Sequence, residues 1–227
     1  MKSKLVLVHP VAPLVPVFDR LGRELLPTTQ LVHILDEPLL QVIQGRGRLA
    51  PEDSARMAEH VAMAERSGAS AVLVTCSTVS PCVDDIRALS NIPVMKIDEA
   101  MIARAVTLGP AIAVIATAAS TLEPTRQLLQ AAAKSQGRDV KITLALVEGA
   151  LSALLAGDGP THDGLVKEAV LLHSRDADVV VLAQASTARV LKSIPEGEWT
   201  APILSSPHLA LEQVGRLLAS VDQENAC

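Results

Sequence analysis

The chain has 227 residues and 49% of them are hydrophobic, yet only Phe18 and Trp199 are aromatic; Lys+Arg 20 against Asp+Glu 25 give a net charge of −5. So few stacking side chains, and no basic stretch, speak against nucleic-acid, glycan and anionic-membrane partners. No apolar run approaches the roughly 18 residues of a membrane span. The apolar part of "MKSKLVLVHP" ends after four residues at His9-Pro10, which suits a first strand better than a signal peptide. Three cysteines, an odd number, predict reduced thiols and a cytoplasmic protein. The spacing of Cys76, Cys82 and Cys227 fits no zinc pattern, so no metal is expected.

In chain order, "KLVLV" (4–8), "QLVHIL" (30–35), "SAVLVT" (70–75) and "IPVMKI" (92–97) read as buried strands. Between them lie helical patterns, the clearest being 51–68, "PEDSARMAEHVAMAERSG", with a proline start, early carboxylates and a closing glycine. Asp36-Glu37 and Asp98-Glu99 each follow a strand and precede a helix, which predicts N-caps. Cys82 falls in the first turn of another helix, with Ser80 as its expected cap and the thiol as ordinary packing. The second half repeats the scheme with strands at 111–117, 140–146, 178–183 and 201–205 and a helix beginning near Leu122-Glu123-Pro124. Alternating strands and helices predict an α/β fold with parallel sheets.

The halves also resemble each other residue by residue. "AVLVTCSTVS" (71–80) aligns with "VVLAQASTAR" (180–189), so that Ser77-Thr78 meets Ser186-Thr187 and Cys76 meets Ala185. Pro93 meets Pro202 in the same alignment without a gap, and "KLVLVHP" matches "AIAVIAT" more loosely. The expectation is two similar Rossmann-like (flavodoxin-like) half-domains related by a pseudo-twofold, one of residues 1–97 plus 207–227 and one of 98–206. Ligands of open α/β sheets sit beyond the carboxyl ends of the strands. A cleft between the halves would therefore collect His9, Pro10, Cys76, Ser77, Thr78, Thr117, Ala185, Ser186, Thr187 and Ser205-Ser206 in one pocket.

The chemistry of these residues follows from their types. Cys76, just past a strand, is the candidate acid/base or nucleophile, with loop amides and a helix start that favour the thiolate. Ser77, Thr78, Ser186 and Thr187 offer hydroxyls and loop N–H groups suited to carboxylate oxygens, or else form turns and caps. Thr117, Ser120 and Thr121 stand where they could cap the helix that follows. His9 ends the first strand at the mouth, before a proline-stiffened loop, where a ring titrating near neutrality would meet ligand. His208 reads as a cap or packing residue. Strand-end position makes Asp98 or Lys96 a candidate second proton donor. No Gly-rich phosphate loop or dinucleotide fingerprint occurs, so no cofactor is expected.

The segments "VLVTCST" with "IPVMKIDEAM", "AIAVIATAASTLEPT", and "VVVLAQAST" with "APILSSP" resemble the aspartate/glutamate racemase superfamily, which includes hydantoin racemases, maleate isomerase and arylmalonate decarboxylase. Members typically carry one cysteine in each half, on opposite faces of a substrate carbon. The resemblance implies Cys76 as the first of these, with Ala185 at the position of the second; it implies that Thr117, Ser120 and Thr121 line the pocket, and it implies a homo-oligomer. It further implies a cofactor-independent enzyme on a small carboxylic acid: an isomerase (racemase, epimerase or cis–trans isomerase), with a decarboxylase-type carbon–carbon lyase as the alternative. A non-catalytic small-acid binder is the remaining reading.

Overall fold

The computed structural model describes residues 3–195 and 197–224; Cys227 lies outside them. Contacts divide the described chain into two compact units, one of residues up to Glu99 together with those from Pro207 onward, the other Ala100–Ser206.

The first unit is built on a four-stranded parallel sheet in the order β2-β1-β3-β4, with β1 (Lys4–His9), β2 (Gln30–Leu35), β3 (Ala71–Val74) and β4 (Val94–Lys96). β1 and β3 are nearly continuous aliphatic runs because helices cover both faces of a parallel sheet; every residue of β3 is buried. β2, at the edge, is half-buried along 31–34 and exposed at both ends. Val6, Val8, Val72 and Val74 pack one face against Leu39, Met57 and Val61 from the helices α2 (Glu37–Arg46) and α3 (Pro51–Arg66). α1 (Leu14–Leu25) lies between β1 and β2 in the chain and buries Phe18 completely.

Local chemistry fixes the helix ends. Asp36 caps α2 as expected, accepting from the Leu39 amide at 3.2 Å, and Gly47 ends it in the left-handed region at φ 76°. α3 starts on Pro51, and Asp53 reaches back to the Ala50 amide at 2.8 Å. Two arginines finish the job for these buried acids. Arg56 binds Asp36 through Nε (2.7 Å) and NH2 (2.6 Å), joined by His60 at 2.6 Å. Arg46 binds Asp53 at 2.6 Å.

The second unit repeats the topology as β6-β5-β7-β8, all parallel, with β5 (Ala111–Ala116), β6 (Lys141–Leu146), β7 (Val179–Leu182) and β8 (Ile203–Ser205). Its core of Ala113, Ile115, Val166, Val170, Val180 and Leu182 takes in part of Trp199. α5 (Glu99–Leu108) leads into this unit and α9 (Ser206–Glu224) leads out. α6 (Ala119–Ser135) starts before the expected Leu122-Glu123-Pro124, leaving Pro124 inside it.

The strand registers correct the internal alignment by one residue. In the first unit the Thr75 amide donates to Val8, and in the second the Ala183 amide donates to Ile115. Likewise Val72 donates to the carbonyl of Pro93, and Val180 to that of Pro202. Thr75 therefore corresponds to Ala183, 108 residues on, whereas Pro93 and Pro202 are 109 apart. The position matching Cys76 is Gln184, and Ala185 is its neighbour. A run of valines carries no mark of register, so sliding "VVVLA" by one place left the hydrophobic match intact.

Candidate active site

In each sheet the order turns back on itself between β1 and β3, or β5 and β7, and the crevice at that switch point is where open α/β sheets bind ligands. In the first unit the ends of these strands carry His9-Pro10 and Thr75-Cys76.

Cys76 is partly exposed, although atoms crowd around its sulfur. Its carbonyl accepts from the Val79 and Ser80 amides at 3.1 and 3.0 Å and from the Ser80 hydroxyl at 3.3 Å, so the chain turns tightly over residues 77–80. Ser80 thus braces this turn; it is not the N-cap of α4 (Cys82–Arg87), which starts on Pro81 without a side-chain cap. Cys82 is core, as expected of it. Burial pushes the Cys76 thiol above its ordinary range, the negative Asp98 adds to the effect, and hydrogen bonds from Thr78 (amide and hydroxyl) and the Val79 amide oppose it. The loop amides were expected to leave a thiolate. Here desolvation outweighs them and the resting group is a thiol.

Asp98 lies two residues past the end of the neighbouring strand, β4. It is 1% exposed, and neither carboxylate oxygen has a hydrogen-bond partner of good geometry among the described residues. The capping role expected of it is therefore not made. Burial raises its pKa to about 6, against weaker pulls downward from the Ser80 hydroxyl, its own amide, the Lys96 ammonium and the Ser77 hydroxyl. Lys96, also buried, is committed to Asp84 at 2.6 Å.

His9 is fully buried. Its Nδ1 lies 2.8 Å from Thr75 Oγ1, its Nε2 2.8 Å from His33 Nδ1, and His33 Nε2 lies 3.1 Å from Asp19. The Thr75 hydroxyl donates to the Val8 carbonyl at 2.9 Å, so it accepts from His9. His9 is thereby assigned as the neutral Nδ1–H tautomer, whose Nε2 accepts from His33. Both ring nitrogens are used inside the unit, and neither is left for the ligand contact expected of this residue. Burial first, and His33 second, lower the His9 pKa to about 4. Ser77 and Pro10 are buried as well, and Thr78 is half-exposed.

In the second unit Gln184 occupies the place of the thiol. Its Oε1 accepts from the Thr117 amide (2.6 Å), the Thr117 hydroxyl (2.9 Å) and the Ala118 amide (3.3 Å). This side chain, distant in sequence, satisfies the two amides just ahead of α6. Thr187 is buried and donates to the Gln184 carbonyl at 2.6 Å. Thr121 is buried, while Ala185 and Ser186 are half-exposed at the start of a 3₁₀ segment, Ala185–Ser193. His208 stands 3.6 Å from Glu212 on α9. Sequence reasoning gave no role to Thr75 or Gln184, because both act through partners more than 60 residues away.

A family model, Asp/Glu/Hydantoin racemase, matches residues 18–214. The chain belongs to the Asp/Glu/hydantoin racemase family. Solved structures share its fold. Glutamate racemase isoform RacE1 from Bacillus anthracis superposes with a TM-score of 0.71 at 18% identity, over 97% of this chain and 83% of that one. Allantoin racemase from Klebsiella pneumoniae gives 0.69 at 15%, over 96% and 88%. Picrophilus torridus aspartate racemase gives 0.71 at 10%, over 94% of both. No curated protein sequence matches the chain. Among the described residues no helix is long and apolar enough to cross a membrane, and no group of three or more His, Cys, Asp or Glu could hold a metal ion.

Proposed function

We propose that this protein is a racemase-type isomerase that needs no cofactor and moves the proton on the carbon next to a carboxylate in a small acid, with Cys76 as the group that carries the proton. The observation that supports this most is the place of the thiol: at the end of β3, beside the switch point, within a turn whose Thr78 and Val79 amides point at the sulfur. Such a thiol is desolvated, so its conjugate base is strong enough to attack a weakly acidic C–H, and the same turn offers N–H and hydroxyl donors for a carboxylate. Ser77 and Thr78, in the same turn as the thiol, are the polar groups assigned to hold it. Family membership supports the same class of reaction.

Inversion needs a second proton carrier on the opposite face. Gln184, at the position matching Cys76, has no titratable proton, which favours a second reading: one-thiol chemistry in which the proton leaves and returns on a single face, or a lyase that protonates its product once. Polarimetry on enantiopure 2-substituted acids, amino and ureido acids among them, separates the readings. Loss of rotation with wild type and none with Cys76→Ser is the expected result. Rotation retained by every acid, with optically active product formed from a 2-substituted malonate, selects the lyase. Racemisation that survives in Cys76→Ser overturns the assignment of Cys76.

A further inference from the structure

Three acids are buried in the first unit: Asp36, Asp53 and Asp98. Arginines neutralise Asp36 and Asp53. Among the described residues Asp98 alone of these has no ion pair and no hydrogen bond of good geometry; the Ser77 and Ser80 hydroxyls, its own amide and the Lys96 ammonium act on it. A carboxylate held out of water without an ion pair is costly to fold, so a fold that keeps one has another use for it. Its position suggests the use. β3 and β4 pair Val74 with Lys96, and the Ile97 amide donates to the Val74 carbonyl at 3.0 Å. Cys76 and Asp98 are each two residues beyond that pair, at adjacent ends of parallel strands, and the charge of Asp98 is felt at the Cys76 sulfur.

We propose that Asp98 is the proton partner of Cys76, a positioning residue that acts through the thiol and never touches substrate. In the forward step the S–H bond breaks, its electron pair stays on sulfur, and the proton forms an O–H bond on Asp98; the return step reverses this. One negative charge moves from oxygen to sulfur, and no other reactant is required. The groups facing Asp98 are Lys96, turned to Asp84, the hydroxyls of Ser77 and Ser80, and Cys76 itself. The carboxyl's preference for its proton, raised to about 6, narrows the gap to a thiol that is itself hard to ionise. The second unit provides an internal control. At the ends of its strands Gln184 stands for Cys76, and the residue two past Ser205 of β8, matching Asp98, is Pro207, so thiol and acid are absent together.

The inference concerns the thiol of the proposed function but its test uses no substrate, so the two can fail separately. The full chain is alkylated with iodoacetamide from about pH 5 to about pH 10 and modification of Cys76 is read by peptide mass spectrometry. Proton exchange within a thiol–carboxylate pair creates a thiolate fraction that does not vary with pH between the two ionisations. The wild-type rate should therefore level off above about pH 6, the value for Asp98, before rising again with ionisation of the thiol. Asp98→Asn should lose the level stretch and fall about tenfold per pH unit throughout, and Asp98→Glu should restore it. No level stretch in wild type, with Asp98→Asn alkylated faster at every pH, would mean that Asp98 only repels the thiolate, and would overturn the proposal. If Asp98→Asn does not fold, the 13C carboxyl titration of Asp98 in wild type must coincide with the lower edge of the level stretch; a mismatch overturns it too. A level stretch in a chain that racemises nothing keeps the pair and removes only the reaction.

Discussion

Asp98 and His9 pull the stability of the first unit in opposite directions with pH, and replacing one exposes the other. For Asp98 the folded pKa is raised, from an ordinary 3.8 to about 6. Below the lower value both folded and unfolded chains hold the proton, so nothing is lost. Between the two values only the unfolded chain releases it, and stability falls as pH rises. At about 1.36 kcal/mol per unit the total is about 3 kcal/mol, all of it lost above pH 6. Asparagine has no such titration. Whatever Asp98→Asn costs at pH 4, it should therefore gain about 2.4 kcal/mol relative to wild type between pH 4 and pH 7. Urea unfolding followed by far-ultraviolet circular dichroism, with hydrogen exchange on the β1 and β3 amides, measures this. The single tryptophan, Trp199, belongs to the second unit and would not report it. Parallel stability curves for wild type and variant across this range would refute the account of Asp98 as a buried, unpaired acid.

His9 gives the mirror image: its pKa is lowered from 6.5 to about 4, so its contribution is whole above 6.5 and is lost as pH falls toward 4, about 3 kcal/mol in all. His9→Gln should flatten that acid limb in the same unfolding series, and an unchanged limb would contradict the buried neutral ring. Gln184→Ala leaves three donors around Thr117 and Ala118 without an acceptor and should destabilise the second unit by about 1–3 kcal/mol; Trp199 fluorescence during urea unfolding reads it. Leu73→Ala, a fully buried residue at the middle of β3, should cost about 2–5 kcal/mol by circular dichroism.

Much of this architecture is legible in the sequence because the physics that produces it is local. Strands buried on two faces must be unbroken aliphatic runs, and 5–8, 71–74, 111–116 and 179–183 are such runs. The thiol could be picked out because a cysteine followed by two hydroxyls at a strand's end is an unusual way to finish a core. What could not be read was set by partners far along the chain. "DE" before a helix is the normal spelling of a cap, and at Asp36 it is one; at Asp98 the same letters spell an orphaned acid, because burial and not helix geometry decides its role. The residue matching Cys76 was placed one position late because valine after valine offers no register, and only the hydrogen bonds to Ile115 and Pro202 fix it. His9 looked like a ligand contact from its place at the strand end, yet His33 and Thr75 take both its nitrogens.

The central claim is that Cys76 moves a substrate proton, and the most direct test is to run the reaction in deuterium oxide. An acid that the protein racemises should gain one deuterium on its 2-carbon with wild type, seen by proton NMR and mass spectrometry, and none above background with Cys76→Ala. Exchange that continues at the wild-type rate in Cys76→Ala would contradict the claim.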